Sequence, residues 1–209
     1  PLAAILMAAE NLCNLADVLT PDQVQRKIQR IRERAGQLHY IVNDILVLTQ
    51  IDAGHIRFHP EACRVAELCD DIIEEVLLAT QHTHKVHVAH AEPGLQARLD
   101  KNLMRIMLSN LLHNAIKFSF DSPEVWLRIL PQAEALHFEV EDRGIGITSE
   151  ELPHLFEPFY RSDRVIFSTS GSGLGLELVQ RALQIHQGEI EITRLEQGSL
   201  FRLGIPLRT

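Results

Sequence analysis

A predicted helix near the middle of the chain carries three polar side chains able to bind a metal ion and a phosphate. Asn110 and Asn114 are four residues apart, so they share one helix face. A neutral amide oxygen suits Mg²⁺, whose coordination is completed by waters and substrate phosphates. Lys117 can reach a phosphate as a point charge, and Phe118 could cover an adenine or a ribose. The alternative, an ordinary polar helix face, leaves two amides and a lysine in an apolar helix unexplained.

Three later segments combine glycines, an acidic residue and aromatic side chains. Asp142-Arg-Gly144-Ile-Gly146 follows a predicted strand, and its glycines let the backbone approach a flat ligand. Phe156-Glu-Pro-Phe159-Tyr160-Arg161 concentrates aromatics in a chain with only 5% of them, which favours a docking lid. Gly171-Ser-Gly173-Leu-Gly175-Leu176 enters a helix, so free amides and the positive helix end can meet phosphates. The two glycine patterns alone are also compatible with simple turns.

In this order, the four motifs resemble the N, G1, F and G2 boxes of sensor histidine kinases. The resemblance implies an ATP site between a sheet, two helices and a lid running from about Thr148 to Ser172. It implies Asn114 as the Mg²⁺ ligand, supported by Asn110, and Asp142 as the acceptor for the adenine amino group. The nucleotide-binding residues it implies are Asn110, His113, Asn114, Lys117, Phe118, Asp142, Gly144, Gly146, Ile147, Phe156, Phe159, Tyr160, Arg161, Gly171, Ser172, Gly173, Leu174, Gly175 and Leu176, with Arg164 as a further candidate for phosphate.

The first residues resemble the end of the phosphoacceptor box of that family. The box runs His-Glu-(aromatic or Leu)-Arg-Thr and then Pro-Leu, and the chain begins Pro1-Leu-Ala-Ala-Ile5. The resemblance places the phosphorylated histidine five residues before Pro1, so no catalytic acceptor is expected within residues 1–209. We expect these residues to bind ATP without phosphorylating themselves. His39 and His113 lack the Arg-Thr-Pro context of an acceptor.

The resemblance implies transfer of the ATP γ-phosphoryl group to a histidine and then to an aspartate of a response-regulator receiver domain. Dephosphorylation of that regulator is a further implied activity. The same fold serves gyrase-like topoisomerases, heat-shock chaperones and mismatch-repair ATPases, which carry a glutamate base four residues before the metal-binding asparagine. Here that position is Asn110, which cannot accept a proton at neutral pH. A phosphotransferase is therefore favoured over an ATPase, and a pseudokinase acting as a dimeric scaffold is the third alternative.

Composition limits the classes of partner. A chain of 209 residues, 45% hydrophobic and 23% charged, suits one large or two modest domains. The net charge of -8 argues against nucleic-acid binding, which needs a basic surface. Cys13, Cys63 and Cys69 show no metal or disulfide spacing, which favours reduced thiols and a cytoplasmic location. No apolar run is long enough to span a membrane, so we expect membrane attachment only through regions upstream of Pro1.

Residues 1–56 are predicted to form an antiparallel helical hairpin. A turn is expected at Asp17–Leu19. The second helix should begin there, because the next residues, Thr20-Pro21-Asp22-Gln23, have the form of a capping box. It should run to about Ala53, with Gly54 as a left-handed cap. Helical and heptad spacing places these apolar residues on one face of each helix: Leu2, Ile5, Leu6, Ala9, Leu12, Cys13 and Ala16, then Val24, Ile28, Ile31, Ala35, Leu38, Val42 and Ile45. We expect a homodimeric four-helix bundle, with packing against the rest of the chain as the alternative.

Residues 57–64 are expected to be a linker, and residues 65–209 an α+β catalytic domain. The resemblance implies an α/β sandwich of the Bergerat or GHKL type. Its predicted helices are Val65–Ala79, Lys101–Phe118 and Leu174–Gln187. Predicted strands lie around Val86–Val88 and Leu95–Leu99, and at Val125–Leu130, Leu136–Glu141, Glu189–Arg194 and Leu200–Pro206. Helices covering one face of such a sheet make a sandwich.

Four histidines, His82, His84, His87 and His90, lie close together in the sequence. Val86 and Val88 occupy the inward face of the same strand, and no cysteine or carboxylate completes a coordination set. A solvated strand edge is therefore favoured over a zinc site.

Overall fold

In a computed structural model of the chain, the structure describes residues 2–14, 19–92, 94–165 and 171–207. Pro1, Ala16 and Asp17, named above in the acceptor box, the apolar face and the expected turn, lie outside the described residues, as do residues 166–170 of the expected lid. The helices are α1 (Leu2–Asn14), α2 (Pro21–Asp52), α3 (Val65–Ala79), α4 (Lys101–Phe118) and α5 (Gly175–His186), with a short 3-10 helix at Leu152–His154. The strands are β1 (Glu61–Arg64), β2 (Lys85–His90), β3 (Gln96–Leu99), β4 (Glu124–Pro131), β5 (Ala135–Asp142), β6 (Glu189–Arg194) and β7 (Ser199–Pro206).

The helical hairpin forms as predicted, and large apolar side chains on its two helices stay exposed to solvent in the single chain. The Thr20 hydroxyl accepts a hydrogen bond from the Gln23 amide, and the Gln23 side chain accepts one from the Thr20 amide, which completes the capping box. Gly54 has a φ of +68°, as expected of a left-handed residue after a helix. None of the described residues of α1 and α2 is buried. Large apolar side chains stay exposed on both helices: Leu2, Leu6, Met7, Ile28, Tyr40, Val42, Ile45 and Leu46.

The segment expected to be a linker is only partly one. Residues 61–64 form β1, which pairs antiparallel with β3 so that Cys63 lies opposite Ala97. Only Cys63 is buried in this four-residue strand. The strand is therefore too short to show the repeated alternation of buried and exposed residues by which a strand is recognised in a sequence. Regular secondary structure therefore resumes at Glu61, before α3.

A five-stranded mixed sheet carries the rest of the fold, in the order β2-β4-β5-β7-β6. β2 runs parallel to β4, and the other neighbouring pairs are antiparallel. The core lies between one sheet face and helices α3 to α5, and its fully buried side chains include Ile72, Met107, Leu111, Leu127, Phe138 and Leu203. This is the α+β sandwich predicted from the sequence. No helix among the described residues is long and apolar enough to cross a membrane.

The outer sheet face is charged, and the histidine-rich strand lies at its edge. Glu139 lies on this face but is buried, and it forms ion pairs with Arg128 and Arg202. His87 on the edge strand β2 stacks on Trp126, with ring centroids 5.4 Å apart, and its Nε2 lies 3.1 Å from Glu124. Within the described ranges, no group of three histidine, cysteine or acidic residues could hold a metal ion.

Candidate nucleotide-binding site

A cavity of about 710 Å³ brings the four sequence motifs together. It opens between α4, the loop after β5, the lid, the start of α5 and one face of α2. The predicted residues that line it are Asn110, His113, Asn114, Lys117, Phe118, Asp142, Gly146, Ile147, Tyr160, Arg161, Gly171, Ser172, Gly173, Gly175 and Leu176. Segments far apart in the sequence, from Asn110 to Leu176, thus surround one space large enough for a small ligand.

Four predicted residues lie outside the cavity lining: Gly144, Phe156, Phe159 and Leu174. Leu174 is buried at the start of α5. Phe159 was expected to dock the lid with its ring, but the residue is 63% exposed. Its backbone holds the lid instead, because the Phe159 amide donates to the Gly173 carbonyl at 3.0 Å.

Helix α4 places the N-box side chains along one stripe. Its first turn is fixed by Asp100, whose Oδ1 accepts hydrogen bonds from the amides of Asn102 and Leu103. Residues buried along the helix, including Met104, Met107, Leu108, Leu111 and Leu112, anchor it in the core. The cavity-lining positions are Asn110, His113, Asn114 and Lys117, at the spacing of a single helix face.

The two asparagines present amide oxygens as ligands for a hard cation. Asn110 Nδ2 donates to the Ile106 carbonyl at 2.8 Å, which fixes the side chain. Its Oδ1 faces the start of α5, since a Cβ added to Gly175 would lie 2.7 Å from that oxygen. Asn114 lines the cavity one turn further along α4. These neutral oxygen donors fit Mg²⁺, which needs few protein ligands when phosphates supply the others.

His113, between the asparagines, is held neutral. Its Nδ1 lies 2.8 Å from the Ser109 carbonyl, so Nδ1 carries the proton and Nε2 is left as an acceptor. Burial lowers the pKa of His113, and the bond to Ser109 only partly offsets this. The ring therefore adds no positive charge to the cavity at neutral pH.

Lys117 is a cation held against the glycine-rich loop. A Cβ added to Gly171 would lie 2.5 Å from Lys117 Nζ, so glycine leaves the room that the ammonium occupies. Burial, together with the charge of Arg161, lowers the pKa of Lys117 to about 8. Two cations close enough to repel each other favour an anionic ligand, because an anion offsets the repulsion.

Asp142 lines the cavity as a buried carboxylate. It is 4% exposed; its Oδ1 accepts from the Gly144 amide at 2.8 Å and its Oδ2 from the Ser199 hydroxyl at 2.7 Å. Burial raises the pKa of Asp142, whereas these hydrogen bonds lower it. Gly144 must be glycine here, since a Cβ would lie 2.2 Å from the Phe118 carbonyl oxygen. Sequence reasoning missed Ser199, which the strand pairing of β7 brings to this position.

The lid is attached to the G1 loop by a network that sequence reasoning also missed. Glu151 accepts hydrogen bonds from the Thr148 amide, at 2.7 Å, and from the Ser162 hydroxyl. Arg164 lies 3.4 Å from Glu151 and donates to the Ile145 carbonyl at 3.0 Å. Arg164, the further candidate for phosphate contact, has its guanidinium on the loop backbone in the structure, where it joins the lid to the G1 loop.

The glycine-rich loop leads into α5 through a turn that requires glycine. Gly173 has a φ of +75°, and a Cβ there would lie 2.7 Å from the Phe159 carbonyl carbon and 2.8 Å from the Tyr160 carbonyl oxygen. The Ser172 hydroxyl accepts from the Leu174 amide at 3.1 Å. The N-terminus of α5 at Gly175 thereby faces the same cavity as Lys117.

Comparison with known proteins agrees with the motifs. The profile of the histidine kinase-, DNA gyrase B- and HSP90-like ATPase family matches residues 99–209, and that of the His Kinase A (phospho-acceptor) domain matches residues 1–54. The phosphate regulon sensor protein PhoR of Pseudomonas aeruginosa is 30% identical over 204 residues, which cover 96% of this chain and 46% of PhoR. The chain thus spans about half the length of this curated relative.

Solved structures share the fold over the whole chain. Acinetobacter baumannii histidine kinase AdeS matches with a TM-score of 0.73 and 21% identity, over 99% of this chain and 96% of that one. Full-length ShkA, solved in complex with AMPPNP, matches with a TM-score of 0.75 and 24% identity, over 100% of this chain and 46% of that one. With its two family domains in order and four motifs around one cavity, this chain belongs to the sensor histidine kinase family.

Proposed function

We propose that this chain is the ATP-binding and dimerisation portion of a histidine protein kinase of a two-component system. The protein would transfer the ATP γ-phosphoryl group to a histidine and then to an aspartate on a response-regulator receiver domain, and would also dephosphorylate that regulator. One observation carries the proposal: amide ligands and a lysine on α4 share one cavity with a glycine-rich helix start and a buried carboxylate. The AMPPNP complex of ShkA supports a nucleotide of this type.

At the buried end, Asp142 would accept a hydrogen bond from the adenine amino group. Ser199 and the Gly144 amide already fix its carboxylate, so the side chain loses little conformational freedom on binding. Phe118 and Ile147 line the cavity nearby and would cover the base. A guanine base presents an oxygen where adenine has its amino group, which would place two acceptors face to face.

At the other end, the triphosphate would lie between Lys117 and the start of α5. Free amides at a helix N-terminus and a lysine ammonium both favour bound phosphate. Asn114 would hold Mg²⁺, with Asn110 supporting it directly or through water, and the ion would neutralise charge on the β- and γ-phosphates. Arg161 lines the same space and would contact phosphate.

Phosphoryl transfer is favoured over hydrolysis because Asn110 stands where the hydrolytic relatives carry a glutamate base. An amide does not accept a proton from water at neutral pH, so bound ATP should persist until a histidine reaches it. An ATPase of the same fold is the second candidate function.

The hairpin would supply the dimer interface. The apolar side chains exposed on α1 and α2, with the phospho-acceptor domain match, support pairing with a second copy into a four-helix bundle. We place the hairpin at residues 1–56, a connecting segment up to residue 60, and the catalytic domain from Glu61. The acceptor histidine would lie five residues before Pro1, and this portion would work in the cytoplasm, where ATP and the regulator are present.

Calorimetric titration with Mg-AMPPNP tests the site. The chain should bind the nucleotide, and Asn114→Ala should abolish Mg²⁺-dependent binding without unfolding the protein, because Asn114 lines an open cavity. Asn102→Ala is the matched control, since Asn102 is an exposed asparagine on the same helix outside the cavity. Equal affinity for the wild type and the Asn114 variant would overturn the assignment.

A further inference from the structure

The hairpin contributes an acidic side chain to the nucleotide cavity. Asp44 of α2 accepts a hydrogen bond from the Ser172 hydroxyl of the glycine-rich loop, with 2.8 Å between Oδ2 and Oγ. Gln37, Tyr40 and Ile41 lie on the same face of α2 and also line the cavity. Helix α2 therefore forms one wall of the site within a single chain.

This contact belongs to a longer interface between α2 and α5. Asp52, about two turns beyond Asp44, lies 4.0 Å from Arg181 of α5, and the two helices pack along each other. Asp52 does not line the cavity, whereas Asp44 does. The two acidic residues thus belong to one docked interface, but only one of them faces the nucleotide space.

Asp44 lies at the end of the cavity where phosphates are expected. Its partner Ser172 directly follows Gly171, the residue against which Lys117 Nζ is packed, and precedes the start of α5 by three positions. In the part of the chain that the structure describes, Asp44 takes part in no ion pair. Burial raises the pKa of Asp44, and the bond from Ser172 lowers it. Among the described residues, the cavity therefore holds a carboxyl group without a paired cation beside its phosphate-binding loop.

We propose that Asp44 makes the docked hairpin a selectivity element that disfavours a nucleoside triphosphate relative to a diphosphate. The inference rests on the proposed nucleotide site. A γ-phosphate brings further negative charge toward Asp44, and like charges repel more strongly in a partly buried site than in water. Triphosphate binding and docking of α2 would therefore oppose each other, and this coupling is reciprocal. The hairpin would be released when ATP binds and would dock again once the γ-phosphate has left.

Asp44→Asn tests this proposal because it removes the charge and keeps an oxygen that can accept the Ser172 hydrogen bond. Asp52→Asn is the matched control, the same change in the same interface outside the cavity. Dissociation constants for Mg-AMPPNP and Mg-ADP are measured by calorimetry on all three proteins. Asp44→Asn should tighten AMPPNP binding on the order of fivefold and ADP binding by less than about twofold, whereas Asp52→Asn should leave their ratio unchanged.

Each other outcome contradicts the proposal in a recognisable way. If the ratio of the dissociation constants for AMPPNP and ADP were unchanged in Asp44→Asn, the carboxylate would not repel the terminal phosphate. Weaker AMPPNP binding in that variant would make Asp44 a ligand of the metal ion rather than a repulsive group. If Asp52→Asn changed this ratio by the same amount, the change would come from weaker docking of α2 and not from the charge of Asp44. If none of the proteins bound either nucleotide, the proposed function would fail and this inference with it.

Discussion

The clearest quantitative prediction concerns the pH dependence of nucleotide binding through Lys117. Burial and Arg161 lower the pKa of Lys117 from its ordinary value of 10.5 to about 8 in the cavity without ligand. A triphosphate beside the ammonium favours its charged form and should return the pKa toward the ordinary value. The affinity gained from this charge is therefore fully present below pH 8. It is lost as pH rises through 8, until the pKa of the complex is reached.

The size of the effect follows from the two pKa values. If the complex titrates near 10.5, affinity at pH 9.5 should be about 30-fold lower than at neutral pH, because most free Lys117 is then neutral. At pH 8, binding should take up about half a proton, since half of the free lysine is uncharged. The buried thiols should not confuse the measurement, because burial raises the pKa of Cys63 and raises that of Cys69 to about 12.

Calorimetry in buffers of different ionisation enthalpy measures both affinity and proton uptake. Lys117→Arg is the informative control, because a guanidinium stays charged over this range and should remove the pH dependence. Circular dichroism at about pH 9.5 checks that the protein remains folded. A wild-type affinity that is flat between neutral pH and this value, or an equal loss in Lys117→Arg, would show that Lys117 does not meet the phosphates.

Three further predictions concern recognition, stability and turnover. Asp142→Asn should weaken Mg-AMPPNP binding about tenfold in calorimetry, since an amide can turn its donor end to the adenine amino group; unchanged affinity would remove Asp142 from the site. Asp100→Ala should lower the free energy of unfolding by about 2 to 4 kcal/mol in urea titration, because two helix amides and the His59 amide lose their buried acceptor. Asp121→Ala, at an exposed aspartate, should change the free energy of unfolding little. Equal losses of stability in the two variants would contradict the capping role of Asp100. Steady ATP turnover should be very slow with Asn110 in place of a base, and sustained phosphate release that disappears in Asn114→Ala would favour an ATPase.

The parts of the site that lie on one helix could be predicted from the sequence. Asn110, His113, Asn114 and Lys117 share a face of α4 because helical spacing alone places them there. The helix bounds of α3 and α4 also agree with the prediction, since apolar periodicity along a helix is a local signal.

Residues placed by tertiary contacts could not be found in this way. Ser199 follows a Gln-Gly turn and has no sequence feature to distinguish it from an ordinary turn serine, yet sheet pairing sets it against Asp142. Glu151 and Arg164 meet only because the lid folds back on the G1 loop. Asp44 looks like a solvated helix residue until α2 docks beside Ser172. In each case the partner is distant in sequence, so spacing holds no information about the contact.

Transfer of labelled phosphate measures whether ATP bound at this site phosphorylates a histidine. A chain extended upstream to include the expected acceptor box is incubated with Mg²⁺ and ATP labelled at the γ-phosphate. The Asn114→Ala variant and a variant with glutamine in place of the expected upstream histidine are treated in the same way. We predict acid-labile, base-stable label on the extended wild-type chain and no label on either variant. Label that persists in the Asn114 variant, or an extended chain that binds nucleotide and takes up no label, would contradict the account.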